Sequence, residues 1–274
     1  MLENKVAIVT GGSEGIGFGI ASALASKGIR VYLVARTESK LEVARDKIQE
    51  NGGKVEIRSA NIMDLEEMKR VIRDVYDDNG RLDIFVNNAG TWKPQSLDTS
   101  FEEIEALINF TMMAPYELTH YLINEFKNKK DNDLSILTIS SQAAIKVMGV
   151  GLGYGPGKMG LTSALFHLDE EMGIKDIENV RNYRLYPNTV ATENIMDAIR
   201  KDEVQNPVNL EAVVDAALDL VLGNTPTRDM RIGYYPGRGI VRTHFSSNPE
   251  DFYNQSNTTE EVVDSNFTPK DLFK

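Results

Sequence analysis

The chain has no cysteine, which excludes disulfides, thiolate nucleophiles and cysteine metal ligands. Its three histidines are widely separated in sequence, so no metal site is predicted. No stretch approaches the roughly 20 apolar residues that a membrane-spanning helix needs. The first residues also lack a basic region followed by a long apolar one. We therefore expect no membrane partner and a cytoplasmic location.

Positive charge is scarce as well. The 274 residues include 30 Lys and Arg against 41 Asp and Glu, a formal net charge of −11. Non-specific nucleic-acid binding needs clustered cations that neutralise phosphates, so we expect no nucleic-acid partner. What the chain does have is an ordinary globular composition, 41% hydrophobic and 26% charged, which is enough to bury a sizeable core. Length alone leaves one large domain or two small ones open.

Short β-branched runs alternate with helical patterns along the chain. The runs are Val6 to Thr10, Val31 to Ala35, Val55 to Arg58, Ile84 to Val86, Ile136 to Ile139 and Arg184 to Tyr186, with a last strand predicted near Met230 to Tyr234. Strict alternation of this kind predicts parallel strands joined by crossover helices. We predict an α/β fold: a single doubly wound Rossmann-type domain with a parallel sheet of about seven strands and helices on both faces.

The ends of three helical segments can be predicted from the sequence. One opens at Ser100 with a capping-box pattern and extends to about Phe126, with a bend expected at Pro115. The others run from Tyr154 to about Met172 and from about Leu210 to Leu222. The catalytic domain is predicted to span residues 1–240, with a substrate lid at about 189–206. Residues 241–274 are predicted to form a surface tail, either partly ordered or covering the active site or a subunit contact.

A glycine-rich turn follows the first strand: Thr10-Gly11-Gly12-Ser13-Glu14-Gly15-Ile16-Gly17. Glycine permits the tight turn and close backbone approach that a pyrophosphate requires, and the next helix would point its N-terminus at the phosphates. A purely structural turn is the alternative, but this position between strand and amphipathic helix favours a dinucleotide. After the second strand, Arg36 stands where an acidic residue would bind a ribose 2′-hydroxyl. Arg36 favours NADP over NAD, unless it is only a solvated loop residue. The negative charge of Glu38 nearby weakens the positive potential of Arg36.

Tyr154 and Lys158 stand four residues apart, with Ser141 upstream. A tyrosine hydroxyl, with an ordinary pKa of about 10, is a poor proton donor and acceptor at neutral pH unless positive charge favours its phenolate. Lys158 is placed to supply that charge. If Tyr154 were only an ordinary core tyrosine, there would be no reason to expect a lysine four residues later. Pro156 lies between them, removes a helical hydrogen bond and disfavours helical geometry at Gly155, which indicates that the helix begins here.

These residues resemble the short-chain dehydrogenase/reductase family, in its compact single-domain branch, over roughly residues 5 to 235. The glycine turn resembles the family's phosphate turn, Asn87-Asn88-Ala89-Gly90 its motif after the fourth strand, and Tyr154 with Lys158 its catalytic pair. Asn109 and Ser141 complete the family's tetrad. The resemblance implies an NADP(H)-dependent oxidoreductase, with NAD possible, that moves a hydride between nicotinamide and a carbonyl or secondary alcohol. It also implies a homodimer or homotetramer.

By this resemblance, Tyr154 is the general acid in reduction and the general base in the reverse direction, and Lys158 lowers its pKa and binds the nicotinamide ribose. Ser141 would hydrogen-bond the carbonyl, and Asn109 would hold a water of a proton relay. The implied cofactor contacts, besides Tyr154 and Lys158, are Gly11, Ser13, Gly15, Ile16, Gly17, Arg36, Asn61, Asn88, Val190 and Thr192. Asn61 replaces the family's usual Asp, and Pro187-Asn188 replaces Pro-Gly, where asparagine would tolerate a positive φ.

The substrate pocket should be built from the segments after strands four, five and six, because ligands in open α/β sheets sit beyond the carboxyl ends of the strands. These segments carry Trp92, Val147, Met148, Leu152, Ile195, Met196 and Ile199. They suggest a rather apolar pocket or, equally, packing against the scaffold or another subunit.

Two other functions stay open. One is an NADP-binding regulator or scaffold with little turnover, and the intact tetrad argues against it. The other is a nucleotide-sugar epimerase or dehydratase of the family's longer branch. The glycine spacing and the lack of a large C-terminal substrate domain disfavour that reading.

Overall fold

The computed structural model describes residues 2–147, 149, 151–246 and 248–273. Its strands are β1 Val6–Thr10, β2 Arg30–Ala35, β3 Val55–Ser59, β4 Ile84–Asn87, β5 Leu134–Ile139, β6 Val180–Pro187, β7 Val190–Ala191, β8 Val208–Asn209, β9 Asp229–Tyr235, β10 Gly239–Phe245 and β11 Thr259–Asp264. Its α-helices are α1 Gly15–Ser26, α2 Glu38–Glu50, α3 Leu65–Asn79, α4 Phe101–Ile108, α5 Ala114–Phe126, α6 Tyr154–Ile174, α7 Met196–Arg200, α8 Leu210–Val221 and α9 Pro249–Asn254. Within the described ranges, no helix combines the length and apolar character needed to cross a bilayer.

The main sheet has nine strands in the order β11-β10-β9-β6-β5-β4-β1-β2-β3. The seven from β9 to β3 are parallel, as the alternation of strands and helices predicts, and each predicted run lies within a strand. Alternate residues of β1 and β2 enter two separate hydrophobic clusters. One cluster holds α1, α2 and α8, and the other holds α3 and α5, so helices cover both faces. The predicted doubly wound α/β fold is confirmed.

The sheet continues beyond the strand that the sequence predicts to be the last. β10 pairs antiparallel with β9 as a hairpin, and β11 pairs antiparallel with β10. The predicted boundary at residue 240 therefore falls inside β10. Beyond it, Phe245 and Phe252 are buried against Tyr186 of β6 and Phe166 of α6, with ring centroids 4.9 to 6.4 Å apart. Aromatic burial of this kind holds α9 on the body of the domain.

The predicted helix from Ser100 to Phe126 is interrupted earlier than expected. Ser100 caps α4 as predicted, accepting a hydrogen bond from the Glu103 N–H at 3.3 Å. A π-helical turn then spans Asn109–Met113, and the Ala114 N–H donates to the Asn109 carbonyl five residues back. Pro115 has no N–H to donate to the turn before it, and the wider π turn ends just before α5, whose second residue is Pro115.

α6 begins at Tyr154, as the position of Pro156 indicates. Pro156 thus lies in the first helical turn, where N–H groups have no partner inside the helix and a missing one costs little. The N–H groups on either side of it donate to carbonyls four residues back, at 2.9 and 3.0 Å. Tyr154 and Lys158 therefore stand one regular turn apart on the same helix.

A buried ionic cluster joins α6 to the sheet. Arg184 of β6 donates to both carboxylate oxygens of Asp229, at 2.6 and 2.7 Å, and to Asp169 of α6 at 2.6 Å. The Tyr186 hydroxyl donates to Asp229 at 2.9 Å. Because each carboxylate has several donors, the cluster can be buried, and it orients α6 relative to β6 and β9.

Candidate active site

A cavity of about 640 Å³ opens at the carboxyl ends of the central parallel strands. Its walls come from residues 11, 13–16, 88–92, 139–142, 154, 158, 187–190, 192, 194, 195 and 203–205. These are the turn after β1, the loops after β4 and β5, the start of α6 and the segment after β6. The cavity thus lies where the sequence predicts the cofactor and the substrate to meet.

The glycine turn has the backbone that a bound pyrophosphate requires. Gly11 and Gly15 have φ values of +63° and +58°, in the left-handed region that favours glycine. A side chain at Gly17 would collide with the Gly11 carbonyl oxygen and the Asn88 amide. Glu14, the residue before α1, makes no side-chain cap, so the first N–H groups of α1 are available to an anion. Ser13 and Ile16 line the cavity beside them, and the turn fits a dinucleotide.

Asn88 supports the turn from below. Its Nδ2 donates to the carbonyls of Thr10 and Gly11, at 2.9 and 3.2 Å. The Thr10 hydroxyl accepts from the N–H groups of Asn88 and Ala89, at 3.0 and 3.1 Å. The Asn88 amide thus donates both of its hydrogen bonds to backbone carbonyls of the glycine turn. Asn88 therefore stabilises the conformation of this turn.

The predicted adenine edge lies outside the cavity walls. Arg36 follows β2 directly, is exposed, and has no ion pair among the residues that the structure describes. Asn61 uses its Oδ1 to accept the Met63 N–H at 3.2 Å, so its side chain shapes its own turn. Neither residue lines the cavity.

Glu14 forms hydrogen bonds to two other segments beside this edge, and the sequence does not predict these contacts. Glu14 accepts from Lys40 of α2 at 2.8 Å and from Asn194 of the segment after β7 at 3.3 Å. The hydrogen bond from Lys40 holds the pKa of Glu14 below its usual value. Glu14 therefore links the phosphate turn to α2 and to the predicted lid.

Ser141, Tyr154 and Lys158 line the same cavity. The Lys158 Nζ lies 5.8 Å from the centre of the Tyr154 ring and donates to the Ile139 carbonyl at 2.9 Å. Ser141 Oγ accepts the Ala143 N–H at 3.1 Å, which fixes the hydroxyl at the end of β5. Three members of the predicted tetrad are thus brought together.

Burial governs the protonation of this pair. Lys158 is 5% exposed, and desolvation lowers its pKa from 10.5 to about 8. Burial raises the pKa of Tyr154 above 10, and a hydrogen bond with Ser141 opposes the rise in part. Burial dominates the Tyr154 pKa, so its net direction is upward, opposite to the lowering expected from Lys158.

Asn109 lies in the π turn, half-buried, and does not line the cavity. The turn rests against α6 at Gly157, where the position of an added side chain is 3.2 Å from the Cβ of Thr111. The fourth member of the predicted tetrad is therefore adjacent to the helix that carries Lys158, and its role in a relay stays a prediction.

Asn188 does not adopt the positive φ that asparagine would tolerate at this position. Its N–H continues the β6–β9 ladder by donating to the Ile232 carbonyl at 2.9 Å. Its side chain instead lies over Gly233 of β9, where an added Cβ would be 2.7 Å from the Asn188 Cγ. A glycine on the neighbouring strand thus makes room for the asparagine.

The segment after β6 closes one side of the cavity. Val190 pairs with Val208 through β7 and β8, so the two ends of the predicted lid are joined. Val190 and Thr192 line the cavity, and Thr192 Cγ2 lies 3.5 Å from the side-chain position of Gly15. The predicted cofactor contacts of this segment are therefore beside the phosphate turn.

The predicted substrate residues divide into two groups. Trp92 and Ile195 line the cavity, whereas Val147, Leu152, Met196 and Ile199 do not, and Met148 lies outside the described residues. The wall also contains residues that the sequence analysis did not single out: Gln142, Asn194, Glu203, Val204 and Gln205. Gln142 and Asn194 lie in short 3-10 helices and the other three in a loop, none with a periodic pattern. Only their closeness to Ser141 or to the lid could have indicated them.

Comparison with known proteins agrees with this geometry. The short chain dehydrogenase family model matches residues 5–203. A 3-dehydrosphinganine reductase of Arabidopsis thaliana is 32% identical over 179 residues, which is 64% of this chain but only 54% of that reductase. A 7alpha-hydroxysteroid dehydrogenase of Paraclostridium sordellii is 29% identical over 243 residues, 83% of this chain and 87% of that enzyme.

Among solved structures, a metagenomic short-chain oxidoreductase in complex with NADP superimposes with a TM-score of 0.66 at 29% identity, covering 80% of this chain and 90% of that one. The family match extends from the strand before the glycine turn to the segment that closes the cavity. The chain therefore belongs to the short-chain dehydrogenase family of oxidoreductases.

Proposed function

We propose that the protein is an NADP(H)-dependent oxidoreductase that interconverts a carbonyl and a secondary alcohol, with Tyr154 as general acid and base. One observation carries the proposal: the Tyr154, Lys158 and Ser141 side chains line the same cavity as the glycine turn. The turn offers free helix N–H groups for phosphates, and the three side chains lie where a carbonyl could approach.

A nicotinamide cofactor, when bound, supplies or accepts the hydride. The chain supplies the rest of the chemistry. Because the pKa of Tyr154 is raised, its hydroxyl carries a proton at neutral pH and can deliver it to the carbonyl oxygen. Ser141 can donate a hydrogen bond to the same oxygen, and Lys158 is mostly charged below pH 8, which favours the tyrosinate that remains.

Replacement of Tyr154 by Phe tests the role of the hydroxyl. We expect Tyr154→Phe to lower kcat for ketone reduction by about 10²- to 10⁴-fold, because the proton donor is lost. NADPH affinity, measured by fluorescence titration, should stay unchanged. Tyr253→Phe, at a half-exposed ring on α9, is the matched control and should keep full activity. Retained turnover in Tyr154→Phe would refute the role.

The proposed preference for NADP rests on Arg36. Its exposed guanidinium has no carboxylate partner in the described part of the chain and can bind a 2′-phosphate. Arg36→Asp should weaken NADPH binding and improve NADH binding, as the ratio of the two dissociation constants will show. Lys130→Asp makes the same charge change in the turn before β5, at the opposite edge of the sheet. An Arg36→Asp ratio no different from that of Lys130→Asp would contradict the assignment.

We also propose an apolar substrate. Trp92, Ile195 and Val204 give the cavity apolar walls, and the two relatives named above act, by their names, on a sphinganine and on a hydroxysteroid. NADPH oxidation should be measured with a medium-chain aliphatic ketone, cyclohexanone, a steroid ketone and an acyl thioester. Oxidation with the apolar ketones supports the proposal. No oxidation with any carbonyl would favour a regulator that binds NADP without turnover.

We further propose that residues 189–206 act as a lid, supported by the Glu14–Asn194 hydrogen bond and the β7–β8 pairing that bound it. A homodimer or homotetramer is proposed from family membership alone. Light scattering of the purified protein gives the molar mass that decides between these and a monomer.

A further inference from the structure

Gln95 lies in the loop between β4 and α4, three residues after Trp92, and its side chain is buried at 3% exposure. Its Oε1 accepts the Gly153 N–H at 2.7 Å, and its Nε2 donates to the Glu103 carbonyl at 3.1 Å. The backbone of Gln95 also forms a parallel bridge with Gly151. One side chain therefore joins the loop after β4, the helix α4 and the segment that leads into α6.

The bond to Gly153 acts at the point where α6 begins. Gly153 immediately precedes Tyr154, and it supplies no side-chain cap to the helix. N–H groups at a helix start have no partner inside the helix, so their direction depends on an outside acceptor. An added Cβ on Gly153 would lie 2.7 Å from both Gln95 Oε1 and the Ile104 carbonyl. The start of α6 is thus held directly against Gln95 and α4.

A buried amide can also serve stability alone, and the chain contains such a case. Asn132 accepts the Leu82 N–H at 3.0 Å and donates to the Leu82 carbonyl at 2.7 Å. It is buried like Gln95, but it lies at the amino edge of the parallel sheet, opposite the cavity. Asn132 is therefore a matched reference for the structural effect of losing a buried amide.

We propose that Gln95 is a positioning residue that sets the place of the Tyr154 hydroxyl through the Gly153 N–H and α4. The inference rests on the proposed role of Tyr154 in proton transfer. Loss of the clamp frees the first turn of α6 to rotate, which moves the hydroxyl relative to Ser141 and Lys158 while the glycine turn is untouched. A shift of about 1 Å at a reacting group is enough to lower turnover by about 100-fold.

The test compares Gln95→Met with Asn132→Leu, two near-isosteric changes that each remove a buried amide. Protein labelled with ¹³C at the tyrosine Cζ reports the Tyr154 environment without turnover, with its resonance assigned by Tyr154→Phe. We expect Gln95→Met to shift this resonance and its titration, and to lower kcat for cyclohexanone by about 10- to 100-fold with NADPH affinity unchanged. Asn132→Leu should lower the Tm comparably and do neither.

Gln95→Glu provides a milder variant if Gln95→Met does not fold. A protonated glutamic acid can accept from Gly153 and donate to Glu103, whereas its carboxylate can only accept. The kcat of Gln95→Glu relative to the wild type should therefore recover as the pH falls. Gln95 variants whose Tyr154 resonance and kcat match those of Asn132→Leu would overturn the inference. Turnover retained by Tyr154→Phe would instead overturn the proposed function, because the resonance is read independently of activity.

Discussion

At the scale of single residues, Lys158 stands out because its ammonium group is buried and has a backbone carbonyl as its hydrogen-bond partner. Its pKa falls to about 8, so the folded protein holds the charge at neutral pH against the cost of desolvation. A buried ammonium group of this kind contributes little to the stability of the fold. Its position is explained by the cavity that it lines. The same burial keeps Tyr154 protonated, and the two shifts together suit proton delivery to a carbonyl.

Removal of the buried charge should stabilise the protein. The fall in pKa from 10.5 to about 8 corresponds to about 3 kcal/mol at most, and loss of the bond to Ile139 returns about 1 kcal/mol. We expect Lys158→Met to raise the free energy of unfolding by about 1–2 kcal/mol at pH 7.

The sign of the pH dependence follows from proton binding. Between pH 8 and 10.5 the unfolded wild type binds more protons than the folded one, so wild-type stability rises there. The advantage of Lys158→Met is therefore full below about pH 8 and disappears as the pH approaches 10.5. Urea unfolding at pH 7 and pH 10 measures it, with Lys130→Met as the exposed control. A less stable Lys158→Met at pH 7 would contradict the desolvation cost.

Residues with a local signature were predictable. The glycine turn, Ser141, Tyr154 and Lys158 are defined by spacing along the chain, and the structure brings them to one cavity. Contacts between distant segments were not predictable. The Gln95–Gly153 bond and the fit of Asn188 over Gly233 depend on how loops pack, and a single sequence carries no signal for either.

At the scale of elements, two prolines have opposite outcomes. Pro156 falls in the first turn of α6, where the sequence placed the helix start correctly. Pro115 is predicted to bend its helix, and the structure has a π turn from Asn109 to Met113 just before it. Proline chemistry predicts that a helical bond is lost, whereas the location of the compensating turn depends on packing.

The contact between the π turn and α6 gives a test at this scale. A side chain at Gly157 would collide with the Thr111 hydroxyl, whereas nothing lies within 4 Å of the position at Gly173, near the other end of α6. Gly157→Ala should destabilise the protein by about 1–3 kcal/mol and lower kcat, because α6 must move away from the π turn.

Gly173→Ala is the control for this change. It should be neutral or stabilise the protein by up to about 1 kcal/mol through helix propensity. Thermal unfolding and ketone reduction measure both effects. Equal stabilities for the two variants would mean that α6 adapts without cost, and the close contact would then not fix its position.

At the scale of the whole molecule, the alternating pattern was enough to predict the parallel sheet but not its extension. β10 and β11 flank residues 246–257, a stretch rich in Ser, Asn and Gln whose composition suggested a surface tail. The structure pairs β10 along the whole of β9 and buries Phe245, Phe252 and Phe267 in this part of the chain. Strand pairing with a distant partner is a tertiary effect that composition does not reveal.

The tail can be tested as part of the core. Phe252 is fully buried, whereas its neighbour Tyr253 is 50% exposed on the same short helix. We expect Phe252→Ala to lower the free energy of unfolding by about 3–5 kcal/mol. Tyr253→Ala should cost about 1 kcal/mol, from its edge contacts with Phe166 and Phe252. Urea unfolding compares the two, and equal small effects would show that α9 is not part of the cooperative fold.

The packing of Phe252 against Phe166 also affects the order in which parts of the protein can fold during synthesis. Phe166 belongs to the helix of Tyr154, and its aromatic partner is made much later during synthesis. Until Phe252 has left the ribosome, the outer face of this helix stays uncovered, so nascent chains expose apolar surface next to a nearly complete nucleotide-binding half. The aromatic contact that covers this part of α6 can therefore form only after the strands that carry the glycine turn and Ser141 have been made.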